Sequence, residues 1–556
     1  MTEQAAVNVG YRLSPVASRD PDGIAVVEPA GRESAGRGSY RRITFGELEA
    51  DSNRIATGLL ALGIAPGTRL VLMVRPGIDF VSLVFALFKA GMVTVLIDPG
   101  MGRRNLIRCV EEVAPQGFVA VPRAQAVRVC LRHLFPQARH NITVGRRWFW
   151  GGSTLAQVRA LGSPQFASLP TRAEDPAAII FTTGSTGPPK GVLYSHRNFA
   201  TQVDEIRDFY GIQPGEIDLS GFPLFALFNA VMGVTAVFPE MDFTRPADVD
   251  PRKIVEATRD WSITQSFGSP ALWNAVGRYC ERQDIRLPTL RRVLSAGAPV
   301  PPHVLKRVKL AIHPDGDVHT PYGATEALPV ASISASEVLG ETAVLSREGA
   351  GTCVGTRFPG IDWKVIEIHD GPIETLSAAR VLPLREIGEL IVRGPAVTAR
   401  YVTRPEANAL HKIRDDNSFW HRMGDVGYVD ERDRFWFCGR KSQRVLTAQG
   451  TLFTIPCEAI FQRHERVYRA ALVGVGPRGK QRPVVIVELW PEHRVRSAID
   501  EVELIGELQQ LAQLHAVTED IRDFLVHPSL PVDIRHNAKI FREQLAEWAA
   551  ARLGER

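Results

Sequence analysis

Nowhere in the 556 residues does an apolar run reach the ~20 residues that a membrane-crossing helix needs. The most apolar stretch, residues 80–97, is interrupted by Lys89 and Gly91. Cysteine is scarce: six residues, with no C-x-x-C pair and no Cys/His cluster at zinc spacing. That excludes a disulfide scaffold, and scattered single thiols suit a reducing cytoplasm. The N-terminus shows no charged-then-apolar leader. The expectation is therefore a cytoplasmic protein with no transmembrane segment. One-signed charge is also missing. Lys+Arg is 66 against Asp+Glu 61, a net +5 too weak to call for a nucleic-acid partner. No short-period repeat is present. What remains is an ordinary globular balance, 45% apolar and 23% charged. At this length, two to four domains or subdomains are expected.

The order along the chain is legible. Residues 31–42, GRESAGRGSYRR, form a Gly/Ser/Arg-rich stretch that reads as a loop or edge hairpin. Thr44-Phe45-Gly46-Glu47 fits a capping box. Leu48, Ile55, Leu59 and Leu62 follow at helical spacing, with Gly63 to close the helix. Strands are expected at 69–74 and 93–97, with a helix over 80–90 between them. Such alternation predicts a parallel sheet covered on both faces. Further strands are expected at 177–181, 262–267 and 290–295, and a helix over 270–283. Beyond about residue 380 the pattern turns β-like, at 388–393 and 434–438. A boundary is expected near 439–442, leaving roughly 115 residues for a small α+β domain. Its strands are read at 467–475 and 483–488, and its helix at 499–514.

One stretch carries most of the chemistry: Ile179-Ile-Phe-Thr-Thr-Gly-Ser-Thr-Gly-Pro-Pro-Lys-Gly-Val192. Thr182, Thr183, Ser185 and Thr186 supply hydroxyls, and Gly184, Gly187 and Gly191 surround Lys190. Glycines let backbone amides approach an anion, and the hydroxyls and lysine add donors. This is a phosphate-cradling loop. Its spacing is not the Walker A pattern, which disfavours a P-loop kinase or GTPase. A plain surface turn would rarely gather so many donors.

The loop resembles the signature of the adenylate-forming superfamily: acyl-CoA synthetases, luciferases and peptide-synthetase adenylation domains. Other segments fit in order. Ser295-Ala-Gly-Ala-Pro-Val300 resembles the adenine wall, and Thr320-Pro-Tyr-Gly-Ala-Thr-Glu326 the Y-G-x-T-E motif. Trp420-His-Arg-Met-Gly-Asp-Val-Gly-Tyr428 resembles W-x-x-T-G-D-x-G-Y/F. Gly439-Arg440 and Asn537-Ala-Lys539 complete the set. The resemblance implies a fold: a large α/β domain, residues 1–440, with parallel sheets and a β subdomain, then a small mobile α+β lid, residues 441–556. It implies ATP and Mg²⁺ as cofactors. Glu326 would hold Mg²⁺, which takes few protein carboxylates plus phosphate oxygens. Thr325 would donate to the α-phosphate and Lys190 to the phosphate tail. Tyr322 and Gly323 would face adenine opposite Gly297, Ala298 and Pro299. Asp425 would accept from the ribose hydroxyls and Arg440 would donate to the ribose. Lys539 would neutralise charge as a carboxylate attacks the α-phosphorus.

The acyl-AMP has three open fates: capture by coenzyme A, capture by a carrier-protein thiol, or closure by a hydroxyl of the same chain to a β-lactone. Departures from the acyl-CoA ligase pattern bear on this. Ala226 stands where the family often has histidine, and Ser442 stands at the hinge. With PLFALFN and PVDIRHNAKIFRE, these make the chain look most like the β-lactone synthetases of bacterial long-chain olefin biosynthesis. That likeness implies a 2-alkyl-3-hydroxy fatty acid as substrate. It also leaves open an assembly with a thiolase-like enzyme, a reductase and a lactone decarboxylase. The alternative is a long-chain acyl-CoA or acyl-carrier ligase. A catalytically silent relative is disfavoured by the full set of polar site residues. Phe225, Leu227, Phe228, Met232, Phe267 and Trp273 are candidates for the acyl pocket, though core packing explains such residues equally well. No base for the hydroxyl is assigned; His196 and His421 lie in motif segments.

Overall fold

A computed structural model describes residues 7–32, 38–182, 188–532 and 540–554. The Thr44 capping box forms: Thr44 accepts from the Glu47 amide, and the Glu47 carboxylate returns to the Thr44 amide at 2.9 Å. It opens the helix Phe45–Ala61. Leu62 caps that helix, and Gly63, at φ +75°, turns the chain with an amide from Ile64 to the Leu59 carbonyl.

Two large sheets follow from the strand–helix alternation. The first has seven strands. Their spatial order is Ser153–Thr154, His140–Thr143, Gly117–Ala120, Arg69–Met73, Val93–Leu96, Pro176–Phe181 and Gly191–Ser195. All pairs are parallel except the last. The helix Ile78–Lys89 is buried along most of its length against this sheet's core. Its Lys89 does not break it. The ammonium is fully buried and reaches Glu49 at 2.7 Å, Ser52 at 2.8 Å and Asn53 at 2.8 Å.

The second sheet has fourteen strands. It begins with the edge hairpin Ile24–Arg32 and Gly38–Thr44. Parallel strands Thr235–Val237, Ile217–Ser220, Gln265–Gly268, Arg292–Ser295 and Asp317–Ala324 come next. Antiparallel strands Ala327–Ser334, Thr352–Arg357, Arg434–Arg440, Ser418–Val429, Gly388–Arg393 and Asp362–Ile366 continue it into the β region, and Lys412–Asp415 pairs with Ser418–Val429 off that path. The expected strand at 262–267 starts instead at Gln265. Ser262, at φ +50°, is still turning out of the helix Pro251–Asp260. Likewise 290–295 shortens to Arg292–Ser295.

After Arg440 comes the short turn Lys441–Gln443 and then a three-stranded sheet, Val467–Val475, Arg482–Leu489 and Asp523–Val526. Its side chains alternate with period 2. Ala470 and Leu472 pack with the helix Ala498–Gln513, and Ala471 and Val473 with the helix Arg542–Leu553. Arg542 enters that last helix through two hydrogen bonds, at 2.6 and 2.7 Å, to the buried Glu458. Among the described residues no helix is long and apolar enough to cross a membrane.

Candidate active site

Loops at the carboxyl ends of parallel strands are the usual place for a ligand site in such sheets. The strand Pro176–Phe181 delivers Thr182, and the antiparallel strand Gly191–Ser195 follows Lys190. The stems of the glycine-rich loop are closed by two bonds. The Lys190 amide donates to Thr182 Oγ1 at 3.0 Å, and the Thr182 amide to the Lys190 carbonyl at 3.0 Å. Thr183, Gly184, Ser185, Thr186 and Gly187 lie outside the described residues, as does Lys539.

Lys190 Nζ donates to His411 Nε2 at 3.1 Å and sits 4.8 Å from the centre of the Tyr401 ring. Burial pulls its pKa down; Glu326 opposes the shift and Arg404 adds to it. Glu326 is itself buried, at 9% exposure, and its Oε1 accepts from the Tyr401 hydroxyl at 2.6 Å. Among the described residues Oε2 makes no hydrogen bond. One free carboxylate oxygen, with Lys190 and Lys412 near enough to interact with Glu326, fits Mg²⁺, which leaves most of its coordination to water and phosphate. Thr325 is fixed through its carbonyl, which accepts from Tyr194 at 2.6 Å.

Segment 400–403 ties these parts together. The Gly191 amide donates to Thr403 Oγ1 at 2.8 Å, the Val402 amide to the Gly191 carbonyl, and the Leu193 amide to the Arg400 carbonyl. Tyr401, within that segment, holds Glu326.

Asp425 and Arg440 face each other on paired strands, with Arg440 Nη1 2.7 Å from Asp425 Oδ1. The Tyr322 hydroxyl donates to Asp425 Oδ2, and its ring lies against Phe435 and Phe437. Burial raises the Asp425 pKa, opposed by Arg440 and Tyr322. A carboxylate keeps further lone pairs after both contacts. Gly323 is tightly placed: a Cβ there would lie 2.6 Å from the Ala327 carbonyl oxygen. Gly297, at φ +99°, and Pro299 are exposed after the strand Arg292–Ser295, and Ala298 is half-buried.

Phe225 stacks on Phe267 at 4.6 Å and meets Phe228 at 5.8 Å, with Met232 in the same cluster. Leu227 packs into the core of the first sheet and Trp273 into a third cluster, so neither lies with those rings.

Sequence reasoning missed several groups. Tyr401, His411 and Lys412 have no motif of their own that stands out. Lys412 donates to the Thr398 carbonyl, and burial with Lys190 nearby pulls its pKa to about 7, opposed by Glu326. His411, buried beside Lys190, falls to about 3 and is neutral. Asp218 is fully buried behind the Phe225 helix. Its Oδ2 accepts from Ser220 at 2.6 Å and Asn229 at 2.8 Å. Burial raises its pKa to about 7. The two motif histidines are buried. Buried His196 accepts from the Val9 amide at 3.2 Å, and its pKa falls to about 4 through burial. His421 packs beside His411, with burial again the main cause of a lowered pKa.

The model of the AMP-binding enzyme family matches residues 13–402. The chain belongs to that family, and so to the adenylate-forming superfamily of AMP-forming, acyl-adenylate-forming ligases. It is 47% identical to an olefin β-lactone synthetase of Xanthomonas campestris pv. campestris, over 98% of this chain and 97% of that protein. It is 46% identical to an olefin β-lactone synthetase of Stenotrophomonas maltophilia, over 99% of both. The crystal structure of ATP-bound MatB from Rhodopseudomonas palustris shares the fold, with TM-score 0.76 at 21% identity over 98% of this chain and 99% of that one.

Proposed function

We propose that the chain converts a long-chain 2-alkyl-3-hydroxy acid to a β-lactone through an acyl-adenylate. The observation that carries this reading is the 46–47% identity, over nearly the whole length, to two olefin β-lactone synthetases. In the first step the substrate carboxylate attacks the α-phosphorus of ATP and pyrophosphate leaves. In the second, the 3-hydroxyl attacks the acyl carbonyl, giving the four-membered ring, AMP and a proton.

The protein's part is to orient and to offset charge. In this reading Lys190 and the glycine-rich loop grip the phosphate tail, and Thr325 meets the α-phosphate. Asp425 and Arg440 hold the ribose, and Tyr322 with the wall Gly297–Pro299 flanks adenine. Glu326 would hold Mg²⁺, which supplies charge neutralisation on the phosphates. The domain from 441 onward brings Lys539 to the reacting centre. The Phe225–Phe267 pair and Phe228 line the start of the acyl site. The nucleophile of the second step is already on the substrate, so no thiol has to enter. Assembly with the enzymes that make the hydroxy acid and consume the lactone belongs to the same reading.

The test supplies ATP, Mg²⁺ and a 2-alkyl-3-hydroxy acid, with and without coenzyme A. Lactone and AMP in its absence are expected. A thioester that strictly needs coenzyme A, with no lactone, rejects the reading.

A further inference from the structure

Residues 103–159 hold ten arginines, no lysine and two acidic residues, Glu111 and Glu112. That is an excess of eight positive charges in a chain whose net charge is +5. The sheet topology concentrates part of it. Parallel strands release their loops at one edge. Along that edge of the first sheet come, in spatial order, four groups. Arg146 and Arg147 follow His140–Thr143, and Arg123 follows Gly117–Ala120. Arg75 follows Arg69–Met73, and Arg103 with Arg104 follow Val93–Leu96. Thr182 comes next, after Pro176–Phe181. All six arginines are exposed, and none has a carboxylate partner among the described residues. Arg108 and Arg159, by contrast, are paired with Glu112 and with Asp51 and Asp79. Asp98 is the one acidic residue in the connecting segments 74–77, 97–102, 121 and 144–152, and it accepts from the Gly100 amide at 2.9 Å.

The far end of this edge carries Trp148-Phe149-Trp150. Trp150 is buried, and its indole N–H donates to Thr143 Oγ1 at 2.9 Å. Trp148 and Phe149 rest on it with ring centres at 5.4 and 5.3 Å. They are nevertheless 56% and 81% exposed. The buried indole is thus a root that holds two large rings out in water beside Arg146 and Arg147, of which Arg147 donates to the Gly152 carbonyl and neither meets a carboxylate among the described residues.

The geometry points to a peripheral membrane-docking edge: Trp148 and Phe149 enter the headgroup boundary of an anionic bilayer while Arg146, Arg147, Arg123, Arg75, Arg103 and Arg104 bind lipid phosphates. Aromatic rings with one wet side favour that boundary. Guanidinium forks match phosphate in a way lysine does not. Two exposed rings flanked by arginines suit headgroups better than the broad apolar core of a protein interface. The docking does not rest on the lactone reading; if both hold, the edge brings Thr182 beside the layer where a two-chain acid resides.

The test is co-sedimentation of the full-length protein with phosphatidylcholine vesicles, with and without phosphatidylglycerol. Binding is expected only with the anionic lipid and should weaken with salt. R146Q/R147Q is expected to lower the partition coefficient roughly 10- to 30-fold, at about a factor of five per charge near the surface. F149S alone should weaken it several-fold, and W148S should remove the blue shift in tryptophan emission seen on binding. These side chains are exposed, so unchanged circular dichroism is expected as the fold control, and adenylation of a soluble acid should persist. No binding to anionic vesicles overturns the proposal. So does binding that none of the variants weakens, or association that requires an acidic protein and no lipid.

Discussion

Tyr401 donates its hydroxyl proton to Glu326 at 2.6 Å, from a segment that is also hydrogen-bonded to the strand following the glycine-rich loop. The tyrosine therefore sets the angle of the carboxylate proposed to meet Mg²⁺. Tyr401→Phe removes that bond with little change in volume. Partners of this kind are worth about 10–100-fold in metal affinity or activity. We expect the Mg²⁺ concentration for half-maximal pyrophosphate release to rise by about that factor, with the thermal midpoint almost unmoved. An unchanged Mg²⁺ dependence would show that Tyr401 only fills space.

Lys539→Ala separates adenylation from nucleotide binding. A donor aimed at charge that develops only in the transition state is worth about 10²–10³ in rate. The loss should appear in single-turnover acyl-AMP formation, while ATP affinity stays within about threefold of wild type, a small fraction of that factor. Acyl-AMP formed at the wild-type rate would remove the small domain from the chemistry.

Asp218 gives a pH signature. Its pKa, near 4 in an unfolded chain, is raised to about 7 by burial. The folded state therefore holds a proton that the unfolded state releases, and stability falls as pH rises from about 4 through 7. Asp218→Asn keeps an acceptor for Ser220 and Asn229 and cannot ionise. Its thermal midpoint should fall less than that of wild type between pH 5 and pH 8. Parallel curves for the two proteins would refute a buried titrating carboxyl.

Lys89 and Glu49 form a pair with the ammonium fully enclosed. Breaking such a pair from one side strands a charge at about 3 kcal/mol or more, whereas replacing both partners with apolar residues of similar volume is often near neutral. Glu49→Ala should therefore lower the thermal midpoint by several degrees, and the double variant Glu49→Leu/Lys89→Met by much less. A double variant at least as destabilised as the single one would mean that the lysine's hydrogen bonds to Ser52 and Asn53, not the charge pair, hold the helix.

Local rules made much of this fold legible. The capping box at Thr44, the helix Pro270–Gln283 and the strand Val467–Val475 have the bounds that their patterns set. Each is decided by neighbours in sequence. Lys89 is the counterexample: a charge in an apolar run reads as an interruption until Glu49, Ser52 and Asn53, on another helix, are placed around it. The site divides in the same way. Glu326, Asp425 and Arg440 sit in ordered motifs and could be named. Tyr401, His411 and Lys412 become neighbours of Lys190 only because the chain returns there more than 200 residues later. Asp218 is a single acid in an apolar strand, and nothing in its spacing announces Asn229 as its partner.

Gly191 and Val402 share a backbone hydrogen bond, so the hinge of the anion loop and the tyrosine that aims Glu326 are carried by one stitched ribbon. A displacement of either end is felt at the other. Affinity for the polyphosphate and affinity for its counter-cation are then linked quantities, and natural variation at Thr403 or Gly191 would have to retune both at once.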